Sequence, residues 1–197
     1  MSLPDAVIPC ARIVEKGDAL RFRTVMSAPV AARAPLFVLY ALNIEVSRAP
    51  WLTKEAMIAE MRLQWWRDAL EEIAQGDEVR KHEVTTPLAA VLSPAQAQRL
   101  DETVAARRWD IYRDGFDDAA HMDAYIDQTA GHLMWTACEL LGASADSEVA
   151  VRDLAFSAGV AAFLRAVPAL ADQGRIPLLD GTDAVSYTHL TLPTIQL

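Results

Sequence analysis

Apolar residues recur every three or four positions along most of this chain, the spacing that lines one face of an α-helix. Between Thr53 and Gln75 they fall at Ile58, Met61, Trp65, Ala69 and Ile73, while Glu60, Gln64, Arg67, Asp68, Glu71 and Glu72 occupy intervening positions. This predicts an amphipathic helix with Thr53 as N-cap and Gly76 as its C-terminal stop. Met122 to Leu141 repeats the pattern with Ile126, Leu133, Ala137 and Leu140, and ends at Gly142. A helix is expected over residues 94–112, since Pro94 suits a first turn. Another is expected over 30–46, with Pro35 causing an early start or a kink. Thr86-Pro87 and Ser93-Pro94 punctuate the region between helices. With no strand alternation, internal repeat or low-complexity tract, the pattern predicts an all-α fold.

Composition narrows the class. The 197 residues are 52% hydrophobic, much of that alanine, and suit one domain of closely approaching helices. A net charge of −9 is poorly matched to a phosphate backbone, so nucleic acid is set aside as a partner. Cys10 and Cys138 match no ligand spacing and read as reduced, buried thiols of a cytoplasmic protein. His82, His121 and His132 are dispersed and match no zinc spacing, which points to surface or satisfied-core roles. No basic region followed by an apolar run opens the chain, so no signal peptide is expected. The longest apolar stretch, 154–171, carries Arg165 and Pro168 and reads as a buried helix rather than a membrane span. Residues 185–197 differ from everything before them: uncharged from Ser186 onward and rich in threonine. They read as a non-native tail on an incomplete helical domain, 1–184.

Several segments together resemble the squalene/phytoene synthase family, the all-α head-to-head prenyl transferases. Arg33-Ala-Pro-Leu-Phe-Val-Leu-Tyr-Ala-Leu42 is similar to the family's entry into its first acidic helix. Arg62-Leu-Gln-Trp-Trp-Arg67 is similar to its Trp-Trp segment. Tyr125-Ile-Asp-Gln-Thr-Ala-Gly-His-Leu133 resembles the helix that lines the family's cavity, and Leu164-Arg165 with Gly174-Arg175 resembles the end of the second acidic motif. The resemblance runs from about Cys10 to Leu179. It implies an isoprenoid-synthase-like helical bundle, C-terminally truncated, and names Tyr40, Glu45, Ser47, Arg62, Trp65, Gly131, Leu133, Arg165 and Arg175 as ligand-pocket candidates.

The departures lie where the chemistry belongs. Two aspartates four apart on a helix share a face and can grip a magnesium ion bridged to a diphosphate. Counting along the resemblance, the family's four metal-binding carboxylates should fall at Ser47 and Trp51, and at Ala166 and Leu170. None is acidic. Glu45 and Asp172 are nearby but out of register; two residues turn a helix by about 200°. No catalytic residue and no cofactor are therefore expected, magnesium returning only if atypical ligands exist. Leu42-Asn43-Ile44-Glu45 is similar to a degenerate branch of the family associated with assembly of respiratory complex I. This implies a non-catalytic assembly factor or lipid-binding scaffold, peripheral to the inner membrane, with an isoprenoid or other lipid and respiratory-complex subunits as partners. The alternative is an active prenyl transferase joining two isoprenyl diphosphates.

Individual residues have plainer readings as well. Adjacent aromatics such as Trp65 and Trp66 belong more often to a core than to a pocket wall. Glu45 is expected to pair with Arg48 or Arg62. Arg165, in an apolar helix, is expected to need a partner, structural or ligand-borne. Arg175 is expected in a solvated loop, and Arg107-Arg108-Trp109-Asp110 on a solvated helix face.

Overall fold

The computed structural model describes residues 3–112 and 114–174, and every regular element in them is helical. Nine α-helices are described: α1 (Ile8–Gly17), α2 (Ala19–Ser27), α3 (Val30–Arg48), α4 (Ala56–Gln75), α5 (Thr85–Ala89), α6 (Pro94–Ala106), α7 (Ala119–Ile126), α8 (His132–Leu140) and α9 (Glu148–Asp172). The expected tail and Arg175 lie outside the described residues. At the centre is α3, where Leu36 to Leu39, Ala41, Leu42, Ile44 and Val46 are all buried. A helix apolar on every side is one enclosed by others, and α1, α2, α5 and α8 surround it. Pro35 sits inside α3, which runs through it from Val30 to Arg48.

The face assigned to α4 is corrected. Ala59, Leu63, Trp66, Ala69, Leu70 and Ile73 are buried, whereas Met61 is 67% exposed and Ile58 also faces out. The helix carries two apolar stripes, and packing on α6 selects the one through Leu63, Trp66 and Leu70. Arg67 fixes that choice with paired bonds of 2.8 and 2.9 Å to the Asp101 carboxylate of α6. Thr53 is not the N-cap: its hydroxyl accepts from the Glu55 amide in the turn before the helix, and Glu55 takes the cap position. Gly76 does end α4, at φ 76°, where a side chain would be strained.

Three further expectations change. Thr86-Pro87 lies within a helix, α5, rather than between helices. The helix begun by Pro94 ends at Ala106 and tightens into a 3₁₀ turn over Arg107–Asp110. Its charges are only partly a solvated face, because α6 is wedged between α4 and α8: Glu102 and Arg108 are exposed, but Arg99 bonds the Glu139 carboxylate of α8, and Asp110 is buried. The start of the 122–141 helix moves back to Ala119, where the Asp118 side chain accepts the His121 amide at 2.7 Å. Its middle is a π turn, Asp127–Gly131, joining α7 to α8. Cys10 is buried as expected, but Cys138 is only partly so.

The apolar C-terminal helix is not buried. Only Ala155 and Phe163 of α9 are buried, and Leu154 is 64% exposed. One side of α9 packs on α7, the π turn and α8, and no other described element covers its opposite side. Arg165 accordingly faces solvent and needs no internal partner. The inner side is held by Arg152, which bonds Asp127 of the π turn at 2.9 Å and Glu148 at 2.7 Å.

Two stability outcomes follow from this packing. A Cβ on Gly159 would sit 2.7 Å from the Ala130 methyl and 2.9 Å from Ile126. Overpacking costs about 1–3 kcal/mol, more than the ~1 kcal/mol that alanine gains over glycine in a helix. Gly159→Ala is expected to lose about 1–2 kcal/mol in urea unfolding; unchanged or higher stability contradicts the close contact. His132 is buried with Nδ1 3.1 Å from the Arg99 carbonyl, and burial, aided by Arg152, holds its pKa below the ordinary histidine value. The unfolded chain then binds more protons below about pH 6.5. Stability is expected to fall as pH drops from 7.5 to 5.5, less steeply in His132→Gln; parallel pH profiles contradict this.

Candidate functional site

Between the end of α3, α7, the π turn and the inner side of α9 lies a cavity of about 350 Å³. Its wall is mostly apolar: Ile126, Ala130, Leu133, Gly159, Ala162, Phe163, Ala166 and Leu170. A larger cleft of about 860 Å³ lies beside it, lined from α1 by Arg12 and Lys16 and from α3 by Glu45 and Arg48. Arg21, Asn43, Ser47 and Trp51 line both and mark their junction.

All four positions at which the family's metal-binding carboxylates should fall are brought onto this one cavity: Ser47 and Trp51 from one wall, Ala166 and Leu170 from the other. Leu133 joins them. Other candidates go elsewhere. Glu45 lines only the larger cleft and pairs with Arg48 at 3.1 Å, not with Arg62. Tyr40 lies half-buried beneath the Arg21 guanidinium, 4.7 Å from its ring centre, on the wall of neither space. Its hydroxyl pKa is raised, chiefly by burial. Trp65 packs at right angles on Trp66 and against His82, and Arg62 is exposed on α4. Gly131 backs the wall rather than forming it: a Cβ there would collide with the Asp127 carboxylate. Arg165 is on the exposed side of α9.

The polar part of the cavity comes from residues expected on the surface. The 3₁₀ turn after α6 swings Arg107 and Asp110 inward against Tyr125 of α7. Arg107 Nη1 donates to the Tyr125 hydroxyl at 2.8 Å and to Asp110 Oδ2 at 3.2 Å, and the Tyr125 hydroxyl donates to Asp110 Oδ1 at 3.0 Å. Burial raises the Tyr125 pKa well above the ordinary phenol value. Burial also opposes the charge on Arg107, but Tyr125 and Asp110 outweigh it and its pKa is raised. The phenol is thus a neutral donor and the guanidinium a permanent cation. Trp109 stacks flat on Phe116 at 4.2 Å, with Tyr125 and Phe163 around them, and this aromatic cluster fixes the turn.

Magnesium wants hard oxygen ligands in near-octahedral array, and the residues present do not fit it. Trp51, Ala166 and Leu170 offer no side-chain oxygen, and the Ser47 hydroxyl donates to the Ile44 carbonyl at 3.1 Å. The backbone departs too: α3 ends at Arg48 and a 3₁₀ turn through Pro50 carries Trp51, so the two positions no longer ride one α-helix. Among the described residues lining the cavity, Asp110 is the one carboxylate, and it is held by Arg107 and Tyr125. Among the described residues, no three His, Cys, Asp or Glu side chains are grouped to hold a metal ion.

Known proteins are similar to this chain in sequence. The family model for squalene/phytoene synthase matches residues 14–179. A Drosophila melanogaster protein, NADH dehydrogenase (ubiquinone) complex I, assembly factor 6 homolog, is 28% identical over 177 residues, covering 86% of this chain and 53% of that protein. The assembly factor 6 proteins of Rattus norvegicus and Homo sapiens are 24% and 22% identical, over 84% and 81% of this chain and 50% and 48% of their own lengths. The chain spans about half the length of these curated relatives. Because the family match takes in α3, both walls of the cavity and α9, the chain belongs to the squalene/phytoene synthase family.

Proposed function

We propose that this chain is a non-catalytic member of its family, an assembly factor or lipid-binding scaffold for a respiratory membrane complex. The observation that carries this reading is the cavity wall on which Ser47, Trp51, Ala166 and Leu170 converge without a carboxylate among them. Ionising an allylic diphosphate puts high negative charge on the leaving group. A bound metal stabilises that charge by several kcal/mol, and each ~1.4 kcal/mol is tenfold in rate. A wall of indole, methyl and isobutyl groups supplies none of it. The names of the relatives, assembly factors of complex I, support the assembly function. The outward apolar side of α9 supports contact with the periphery of the inner membrane, and α3, the other helix apolar enough to cross a bilayer, is held in the core.

Two measurements test this. Incubation with farnesyl diphosphate and magnesium is expected to give no coupled product above the buffer control; product that rises with magnesium establishes the prenyl transferase alternative instead. Deletion of the gene is expected to lower fully assembled respiratory complex I on native gels, with recovery on re-expression. Unchanged complex levels remove the assembly role.

A further inference from the structure

From the charges that face the 350 Å³ cavity, we infer that it binds a neutral, chain-like apolar molecule bearing a single hydrogen-bonding oxygen, with that oxygen at Arg107. This rests on the non-catalytic reading and names the ligand class for the same space.

The volume lies at the lower end of the ~300–1,000 Å³ typical of ligand pockets. Such pockets are apolar with a few polar groups that set orientation, and this one has both parts. Ala130, Leu133, Phe163, Ala166 and Leu170 offer a continuous hydrocarbon surface. Arg107 is the donor to a ligand's oxygen. Its Nη1 is committed to Tyr125 and Asp110, while its Nε is buried with no acceptor, so the guanidinium keeps donor capacity for an entering oxygen. A buried guanidinium with unused donors gains from any acceptor placed against it.

Neutrality follows from the partners. Among the described residues two cations line the cavity, and each has a carboxylate beside it: Arg107 has Asp110 at 3.2 Å, and Arg21 has Asp18 at 3.7 Å. A phosphate or diphosphate would bring further negative charge beside Asp110, in a space where the described residues offer no ligand set for a counter-cation. An unbalanced charge in such surroundings is strongly disfavoured. An alcohol or carbonyl oxygen adds none. The residues at the family's metal positions act in the same direction: Ala166 and Leu170 extend the apolar wall, and Trp51 puts an indole at the junction with the charged cleft.

The test holds the chain constant and changes the head group. Binding of 1-dodecanol and dodecyl phosphate to the whole protein is measured by tryptophan fluorescence, with and without magnesium. The alcohol is expected to bind at least tenfold more tightly, with magnesium changing neither affinity. Ala166→Trp, which fills the cavity, is expected to abolish alcohol binding without lowering the melting temperature. The paired variant Arg107→Leu/Asp110→Leu, which removes both charges together, is expected to weaken alcohol binding at least fivefold. Equal or tighter binding of the phosphate, no binding of either probe, or full alcohol affinity in Ala166→Trp would overturn the inference. Unchanged affinity in the paired variant would remove the oxygen from Arg107. A phosphate preference without turnover of farnesyl diphosphate defeats the ligand class alone, whereas turnover defeats the non-catalytic reading beneath it.

Discussion

The close approach of α9 to the π turn positions everything else in the site. Gly159 places bare backbone against Ala130 and Ile126, and Arg152 ties the same helix to Asp127 of that turn. With α9 held there, Ala166 and Leu170 face Ser47 and Trp51 across one space. The π turn adds a residue to the helical repeat, a local change often found beside functional sites. Here it lets Tyr125 and Thr129 line the cavity while Gly131 stays behind the wall. The Thr129 hydroxyl donates to the Tyr125 carbonyl at 2.6 Å, so the turn satisfies its own freed backbone.

Helices and their order were legible in the sequence because periodicity and punctuation agree along most of the chain. The two stops at Gly76 and Gly142 are glycines at positive φ, a backbone requirement visible in the residue type itself. The four positions reached by counting from Tyr40 and from Gly174-Arg175 all line one cavity, two on each side. Faces were harder. On α4, Ile58 and Met61 have the same spacing as Leu63 and Trp66, and packing on α6, with the Arg67–Asp101 pair beside it, decides between them. For α9, hydrophobic content gave burial where the described elements cover only one side.

The Arg107–Asp110–Tyr125 group was hidden for a different reason. Charged residues at the end of a helix ordinarily remain in water, and nothing in the spacing marks a 3₁₀ turn that swings them inward. The decisive partner, Tyr125, is eighteen residues from Arg107 and meets it only through tertiary packing. Once inside, the charges must be paired, since an unpaired buried charge costs several kcal/mol. Asp110 serves that pairing with Arg107 and Tyr125, and it is a single carboxylate among the described lining residues, too few oxygens for a metal site.

A fold that lines an apolar cavity and a chemistry that requires bound metal are therefore separable, and the described residues keep the first without supplying ligands for the second. Electron paramagnetic resonance of manganese(II), a spectroscopic substitute for magnesium, tests that separation most directly. Titration into the protein is expected to leave the free-ion spectrum unchanged at micromolar concentrations, equally in the natural chain and in Ala166→Trp. Saturable, stoichiometric binding that disappears when the cavity is filled by Ala166→Trp would contradict it.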